Sequence, residues 1–414
     1  MDQQLLPDDR HLFDECAYLR MYPDIAAALA NGVERSAWDH YNVHGRYEGR
    51  RPNDVDQDFY LRTYSLAREE IADGRAETPA EHYLAFGRTR GWLPNPQAPR
   101  PENPVAMPSP FGGLWTDRPD ALDVIQGKLD CGHITARQAE RLKFWVRNGY
   151  VVLENAIPEA VVDRAAHDLD RAYSGEIAGL KFECHAVAPD RLIPWQPDVN
   201  PHPTKALDIH HFSSAIRHLI FADGIAEFFG LIFEAKMFAS QSLGFLRGSA
   251  QEGHQDSAYV TFTMARHFAA TWIALEDVTL GAGELFYLVG SHRFPDFLYH
   301  GRYKSVAEAR RMVGPEGLGE EVRRHLNSLV ENARARGIEK TPFAAKKGDV
   351  LVWHADLVHG GNPVSQSVTR KSIVTHYCPK HVAPMFNEWI PTKLWHHNGH
   401  CFTTSHYPGT EPQD

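Results

Sequence analysis

The pattern of apolar and polar positions changes near residue 238. After it, SQSLGFLR, the stretch starting at SAYVTF, ATWIALEDV, ELFYLV, DVLVW and SIVTHY are short apolar or alternating runs. Gly-rich turns such as RGSAQEG and LGAGE separate several of them, so each run predicts a strand. Before it, apolar residues recur at helical spacing. ITARQAERLKFWVRNGY predicts a helix opened by a capping box, Thr135 to Gln138. PEAVVDRAAHDLDRAY predicts a second helix, with Pro158 in its first turn. Helices followed by many short strands predict a mainly β fold with flanking helices, a double-stranded β-helix or jelly roll. One interruption, at about 291–345, contains EEVRRHLNSLVENARARG, whose period is helical. A helical insertion between late strands is expected to form pocket wall or lid.

The first hundred residues carry a repeat. Tyr18/Tyr60, His40/His82, Gly45/Gly87, Arg46/Arg88, Gly49/Gly91 and Pro52/Pro94 are all offset by 42 positions without insertion. Segments such as DIAAALANG and PAEHYLAFG predict short helices closed by Gly, stacked as two small units. His40 and His82 are read as packing and capping residues rather than ligands. PNPQAPRPENPVAMPSP (94–110) then places seven prolines in 17 residues, the composition of a stiff linker. The expected layout is a helical repeat module over 1–95, a Pro-rich linker over 96–114 and a β-rich domain over 115–414.

Composition narrows the function. The net charge of −10, without a basic stripe, leaves no electrostatic footprint for nucleic acid. No apolar run approaches the roughly 20 residues of a membrane span. The N-terminal MDQQLLPDDRHLFDE lacks the apolar core of a signal peptide. Five Cys without CxxC spacing (Cys16, Cys131, Cys184, Cys378, Cys401) point to reduced thiols and a cytoplasmic location.

Candidate chemistry begins at EGHQDSAYV. On a strand, His254 and Asp256 would point to one face. With 24 His in the chain, a His-x-Asp is no surprise, and His354-Ala-Asp356 is a second one. Non-haem Fe(II) oxygenases hold iron with two His and one carboxylate, leaving positions open for co-substrate and O2. In a jelly roll the second His stands on a late strand, several strands away. From Asp356 the nearest later strand His is His376, only 20 positions on. From Asp256, runs at 271, 284 and 350 intervene before His359, 103 positions on. His254, Asp256 and His359 are therefore the expected metal set, with His354 and Asp356 as local structure or as support for the ligands. Arg370 follows His359 by eleven residues. A guanidinium buried in a barrel needs an anion, and its fork suits a carboxylate, that of 2-oxoglutarate being the candidate.

HQDSAYV, ATWIALEDVTLGAGELFYLVGSH, KGDVLVWHADLVHGGNP and TRKSIVTHY together resemble the phytanoyl-CoA dioxygenase family of Fe(II)/2-oxoglutarate oxygenases, over roughly 140–380. The resemblance implies that His254, Asp256 and His359 bind iron and Arg370 binds 2-oxoglutarate. It also implies that Trp272, sixteen residues after Asp256, lines the co-substrate pocket, with Gln241 a further candidate. The implied reaction takes Fe(II), 2-oxoglutarate and O2 and releases succinate and CO2 while oxidising a small-molecule or conjugated substrate. Related halogenases replace the carboxylate with a small residue, so Asp256 favours hydroxylation or another oxidation. Two other readings stand beside this one. One is a catalytically idle scaffold whose repeat module docks a protein or glycan partner. The other is a metal-dependent cupin isomerase or lyase using the same three ligands without 2-oxoglutarate, against which Arg370 argues. His210-His211 is a candidate substrate contact at the pocket entrance, while KLWHHNGH (393–400) reads as a solvated tail.

Overall fold

The computed structural model describes residues 10–88, 94–98, 107, 109–189, 191–366, 368–385, 393–407 and 409–413. Most of the Pro-rich stretch, and Gly91 of the second repeat, lie outside these residues. The chain divides into two compact units, Met1–Pro108 and Ser109–Asp414. No described helix is long and apolar enough to cross a membrane.

In the first unit the same bonds occur twice, 42 residues apart. Asp14 and Asp56 each cap a helix, over Glu15–Met21 and Gln57–Thr63, by accepting from the backbone three residues on. Ser36 and Thr78 do the same for the helices beginning at Ala37 and Pro79. The Asn53 amide donates to the Leu12 carbonyl, and the Asn95 amide to that of Asp54. The fully buried Tyr18 and Tyr60 hydroxyls meet His40 Nδ1 at 3.0 Å and His82 Nδ1 at 2.9 Å. Gly87 does not close its helix in a left-handed conformation, as the sequence suggested. It lies inside a wide turn over Tyr83–Gly87 and is absent from the positive-φ glycines. Its reason is room, because a Cβ there would overlap the Tyr60 hydroxyl, and one on Gly45 that of Tyr18. Recurrence of these residues follows from one packing solution used twice.

In the second unit, the helix Ala136–Asn148 opens with the reciprocal Thr135/Gln138 capping box and ends at the left-handed Gly149. Its buried face, Ala139, Leu142, Trp145 and Val146, packs in the main core with the helix Glu159–Tyr173. The strands are β1 Tyr150–Leu153, β2 Lys181–Glu183, β3 Ile193–Pro194, β4 Lys205–Leu207, β5 Met237–Phe245, β6 Ala269–Ala274, β7 Leu285–Leu288, β8 Lys340–Phe343, β9 Val350–His354, β10 His359–Gly361 and β11 Ser372–Pro379. The larger sheet runs β1-β9-β6-β11-β5-β4-β2-β3 and the smaller β10-β7-β8, with antiparallel pairing along both orders. Register aligns Leu351, Trp272, Val374 and Leu243 across four neighbouring strands, and Trp353, Ala270, His376 and Gln241 beside them. Because paired residues share a face, these rows form one wall. The helices Val306–Val313 and Leu318–Ala335 fill the interval between β7 and β8.

Two expectations fail here. The run SAYVTF is not a strand: His254 makes one isolated bridge, with His359, and the chain then turns through a single 3-10 turn over Asp256–Ala258. The backbone N–H groups of Ala258, Tyr259 and Val260 bond back to 255 and 256 rather than to a neighbouring strand. Nor is KLWHHNGH a solvated tail. Trp395–His397 pairs with His400–Phe402, which lies parallel to β5, and His400 stacks on Phe221.

Candidate metal centre and its pocket

Where the two sheets meet, the isolated bridge holds His254 to His359 by reciprocal backbone bonds of 2.9 and 3.0 Å. The following 3-10 turn swings Asp256 back beneath both imidazoles. Asp256 Oδ1 lies 3.6 Å from His254 Nε2 and 3.7 Å from His359 Nε2. One ligand atom from each of the three residues falls within 4.8 Å of the others, a set that could hold a metal ion. Among the described residues it is the only such group of His, Cys, Asp and Glu.

Neighbouring atoms fix how each group faces the centre. His254 Nδ1 donates to the Glu252 carbonyl at 2.8 Å and His359 Nδ1 to that of Leu357 at 3.0 Å. A carbonyl only accepts, so both rings carry their proton on Nδ1 and present the Nε2 lone pair to the centre. Trp353 Nε1 donates to Asp256 Oδ2 at 2.8 Å, and His376 Nε2 lies 3.3 Å from the same oxygen. Burial alone would raise the Asp256 pKa, but His359 and His376 outweigh it and hold the carboxyl well below the usual range. Burial pushes His359 down to about 4 against the pull of Asp256. At neutral pH the centre is one carboxylate and the neutral His359 imidazole, beside the Nε2 of His254, the donor set a hard-to-borderline divalent metal takes.

A cavity of about 290 Å³ opens on this centre. Its wall includes Trp272, Gln241, Leu243, Phe245, Val374 and Arg370. Arg370 is buried, its guanidinium 5.6 Å from the Trp272 ring centroid and 5.8 Å from that of Phe245. Burial pushes its pKa down to about 10, only partly offset by Glu284. Nη1 donates to the Gly283 carbonyl at 2.7 Å, but Arg370 Nε and Trp272 Nε1 are buried donors without a protein partner. Two orphaned donors beside a buried cation form a cradle for an anion. The lining also includes Glu183, Lys205 and His406, with Lys205 Nζ 2.7 Å from Glu183 Oε1.

All six residues singled out in the sequence, His254, Asp256, His359, Arg370, Trp272 and Gln241, line this cavity. His354 and Asp356 do not. His354 Nε2 pairs with Asp117 at 3.1 Å, and Asp356 is bound by Ser257, Arg266 and Lys304. His210 and His211 are buried away from the lining: His210 bonds Ser242 Oγ at 2.6 Å and the Thr403 carbonyl at 2.8 Å. No described residue from 291–345 lines the cavity, against the expectation of a wall or lid. Sequence reading missed Trp353 and His376 as partners of Asp256. Period-two alternation from Arg370 through Ser372 and Val374 would have put His376 on the same face.

The phytanoyl-CoA dioxygenase (PhyH) family profile matches residues 145–372. No curated protein sequence matches the chain. Among solved structures, the non-heme alpha ketoglutarate dependent carbocyclase SnoK from nogalamycin biosynthesis is similar at 15% identity, over 60% of this chain and 85% of that one, with a TM-score of 0.43. The epimerase SnoN in complex with Fe3+, alpha ketoglutarate and nogalamycin RO is 18% identical over 60% and 86%, with a TM-score of 0.41. EctD from S. alaskensis with 2-oxoglutarate and 5-hydroxyectoine is 21% identical over 59% and 76%, with a TM-score of 0.40.

Proposed function

The chain belongs to the phytanoyl-CoA dioxygenase family, and from that premise we propose that it is a dioxygenase hydroxylating a small-molecule or conjugated substrate. Its cofactor is Fe(II) and its co-substrates are 2-oxoglutarate and O2. The bound iron supplies the chemistry, oxidative decarboxylation of 2-oxoglutarate to succinate and CO2 coupled to oxidation of the substrate.

The residues present fit that group. His254 and His359 offer Nε2 lone pairs with their tautomers set by backbone carbonyls, and Asp256 offers Oδ1 while Trp353 holds Oδ2. Arg370 is assigned the distal carboxylate of 2-oxoglutarate, with Trp272 Nε1 as a second donor and Gln241 on the same wall. The observation that carries this reading is the pair of orphaned donors, Arg370 Nε and Trp272 Nε1, in the same cavity as the two imidazoles and the carboxylate. An isomerase or lyase that used the same ligands without 2-oxoglutarate would not need that anion cradle, and an idle scaffold would need neither. Phe245, Val374 and Leu285 line the cavity with apolar surface, which by excluding water strengthens the attraction of the Arg370 charge for a bound carboxylate.

The finer reading of the fold goes with this. The two antiparallel sheets are taken as the halves of a jelly roll, carried after a helical repeat module and a Pro-rich linker. The cysteines are unpaired, in keeping with a reducing, cytoplasmic setting.

The test is succinate release by the purified chain with Fe(II), 2-oxoglutarate and air, across a panel of small-molecule and conjugated substrates. The reading expects slow succinate formation without substrate, stimulation by the correct one, and a product heavier by one oxygen. Absence of succinate under every condition would overturn it.

A further inference from the structure

The helical insertion at 291–345 supplies nothing to the cavity lining, yet it reaches the metal centre from behind. Tyr299 Oη lies 2.8 Å from His325 Nδ1, and His325 Nε2 lies 3.3 Å from Gln255 Oε1. Gln255 Nε2 donates to the Asp356 carbonyl at 2.7 Å. Because that carbonyl only accepts, the Gln255 amide orientation is fixed and Oε1 must face His325. His325 therefore carries its proton on Nε2 and accepts from the Tyr299 hydroxyl at Nδ1. Gln255 stands between His254 and Asp256, so this chain of bonds ends on the peptide linking two of the three ligands.

A second chain of contacts joins the insertion to the segment that carries His359. Lys304 Nζ bridges Asp296 and Asp356, at 3.1 Å from the latter. Arg266 and Ser257 occupy the rest of the Asp356 carboxylate. Apolar packing repeats the arrangement on both sides. Ala258, two residues past Asp256, packs with Tyr299, Tyr303, Ala309 and Leu318. Val358, one residue before His359, packs with Phe294, Leu329 and Ala333. Gln255, Asp356, Lys304, Tyr299 and His325 are all buried.

We propose that the insertion is a clamp that sets the spacing of the two ligand-bearing segments, with His325 as the positioning residue acting through Gln255. This rests on the reading of His254, Asp256 and His359 as metal ligands. Neighbours that hold ligands in place typically contribute 10–100-fold in metal affinity.

The test is anaerobic titration of the full chain with Co(II), followed by its absorption bands, and with Fe(II). His325→Ala is expected to bind about 10-fold more weakly or worse, and to shift or broaden the Co(II) bands. Tyr299→Phe, which deletes one oxygen, should show the same change in smaller measure. His325→Gln, which can still donate to Gln255, should recover affinity to within about threefold of wild type. Leu142→Ala, a main-core change outside both clamp contacts, is the control, and should lower thermal stability without moving the bands. Wild-type affinity and bands in both His325→Ala and Tyr299→Phe would overturn the clamp, as would an equal loss in Leu142→Ala. Should His325→Ala fail to fold, Tyr299→Phe and His325→Gln decide by the same criteria. Failure of the wild-type chain itself to bind either ion would instead overturn the ligand assignment.

Discussion

Trp353 Nε1 donates to Asp256 Oδ2 at 2.8 Å, and that bond decides which carboxylate oxygen faces the two imidazoles. Trp353 sits on β9, two strands across the sheet from His376 on β11, which approaches the same oxygen. Trp353→Phe removes the indole N–H, keeps an aromatic ring at the site and frees the carboxylate to rotate. Hydrogen bonds to charged groups contribute about 1.5–3 kcal/mol. The variant is expected to bind Co(II) or Fe(II) about 10- to 100-fold more weakly, read by anaerobic titration of folded protein, with a lowered melting temperature because the smaller ring leaves a cavity in the core. Unaltered affinity would remove Trp353 from the account.

Arg370 and the metal set are separable. Arg370→Met leaves His254, Asp256 and His359 untouched while deleting the buried cation. Truncating one partner of a buried charge pair costs about 2–5 kcal/mol, so 2-oxoglutarate affinity should fall by about two orders of magnitude or more. Fe(II) affinity should stay within a few-fold. Arg370→Lys should recover only part, because an ammonium cannot fork onto a carboxylate. Equal 2-oxoglutarate affinity in all three proteins would contradict the assignment.

The repeat makes a prediction that does not depend on chemistry. Gly87→Ala places a methyl group against the Tyr60 hydroxyl and should destabilise the first unit by about 1–3 kcal/mol. Tyr60→Phe removes the oxygen that is hit, so the double variant should lose less than the sum of the two single changes. Gly45→Ala with Tyr18→Phe should behave alike. Limited proteolysis together with thermal unfolding of the full chain reads the outcome, and additivity would refute the packing account.

Asp117 gives a pH dependence with a definite sign. Burial by itself raises its pKa, but His354 and Arg266 outweigh burial and bring it down to about 2. A carboxyl depressed in the folded state adds stability above its unfolded pKa of about 3.9. That stability is lost as pH falls from about 4 through 2, and amounts to roughly 2–3 kcal/mol. Denaturant unfolding at pH 6 and at pH 2.5 should therefore show a smaller acid loss for Asp117→Asn than for wild type. An identical loss would show that His354 does not stabilise the charge.

Much of this site was legible because it depends on spacing along the chain. The distance from Asp256 to His359, and then to Arg370, is set by strands that announce themselves as apolar runs. The repeat was legible for the same reason, since Tyr60, His82 and Gly87 solve one packing problem at fixed separations. What was not legible depends on pairing. Trp353 and His376 reach Asp256 only because β9, β6 and β11 are neighbours in register. The turn after His254 was misread as a strand because its apolar residues, Ala258 and Val260, are buried by the insertion and the cavity rather than by a sheet partner. The role of the insertion was misread too, because helical periodicity says that a face is buried and not what buries it.

The rival His-x-Asp pairs allow the sharpest comparison. Mixed anaerobically with Fe(II) and 2-oxoglutarate, the wild-type chain and His354→Ala should both develop a visible charge-transfer band, while His254→Ala should not. Loss of the band in His354→Ala with its retention in His254→Ala would contradict the account at its centre.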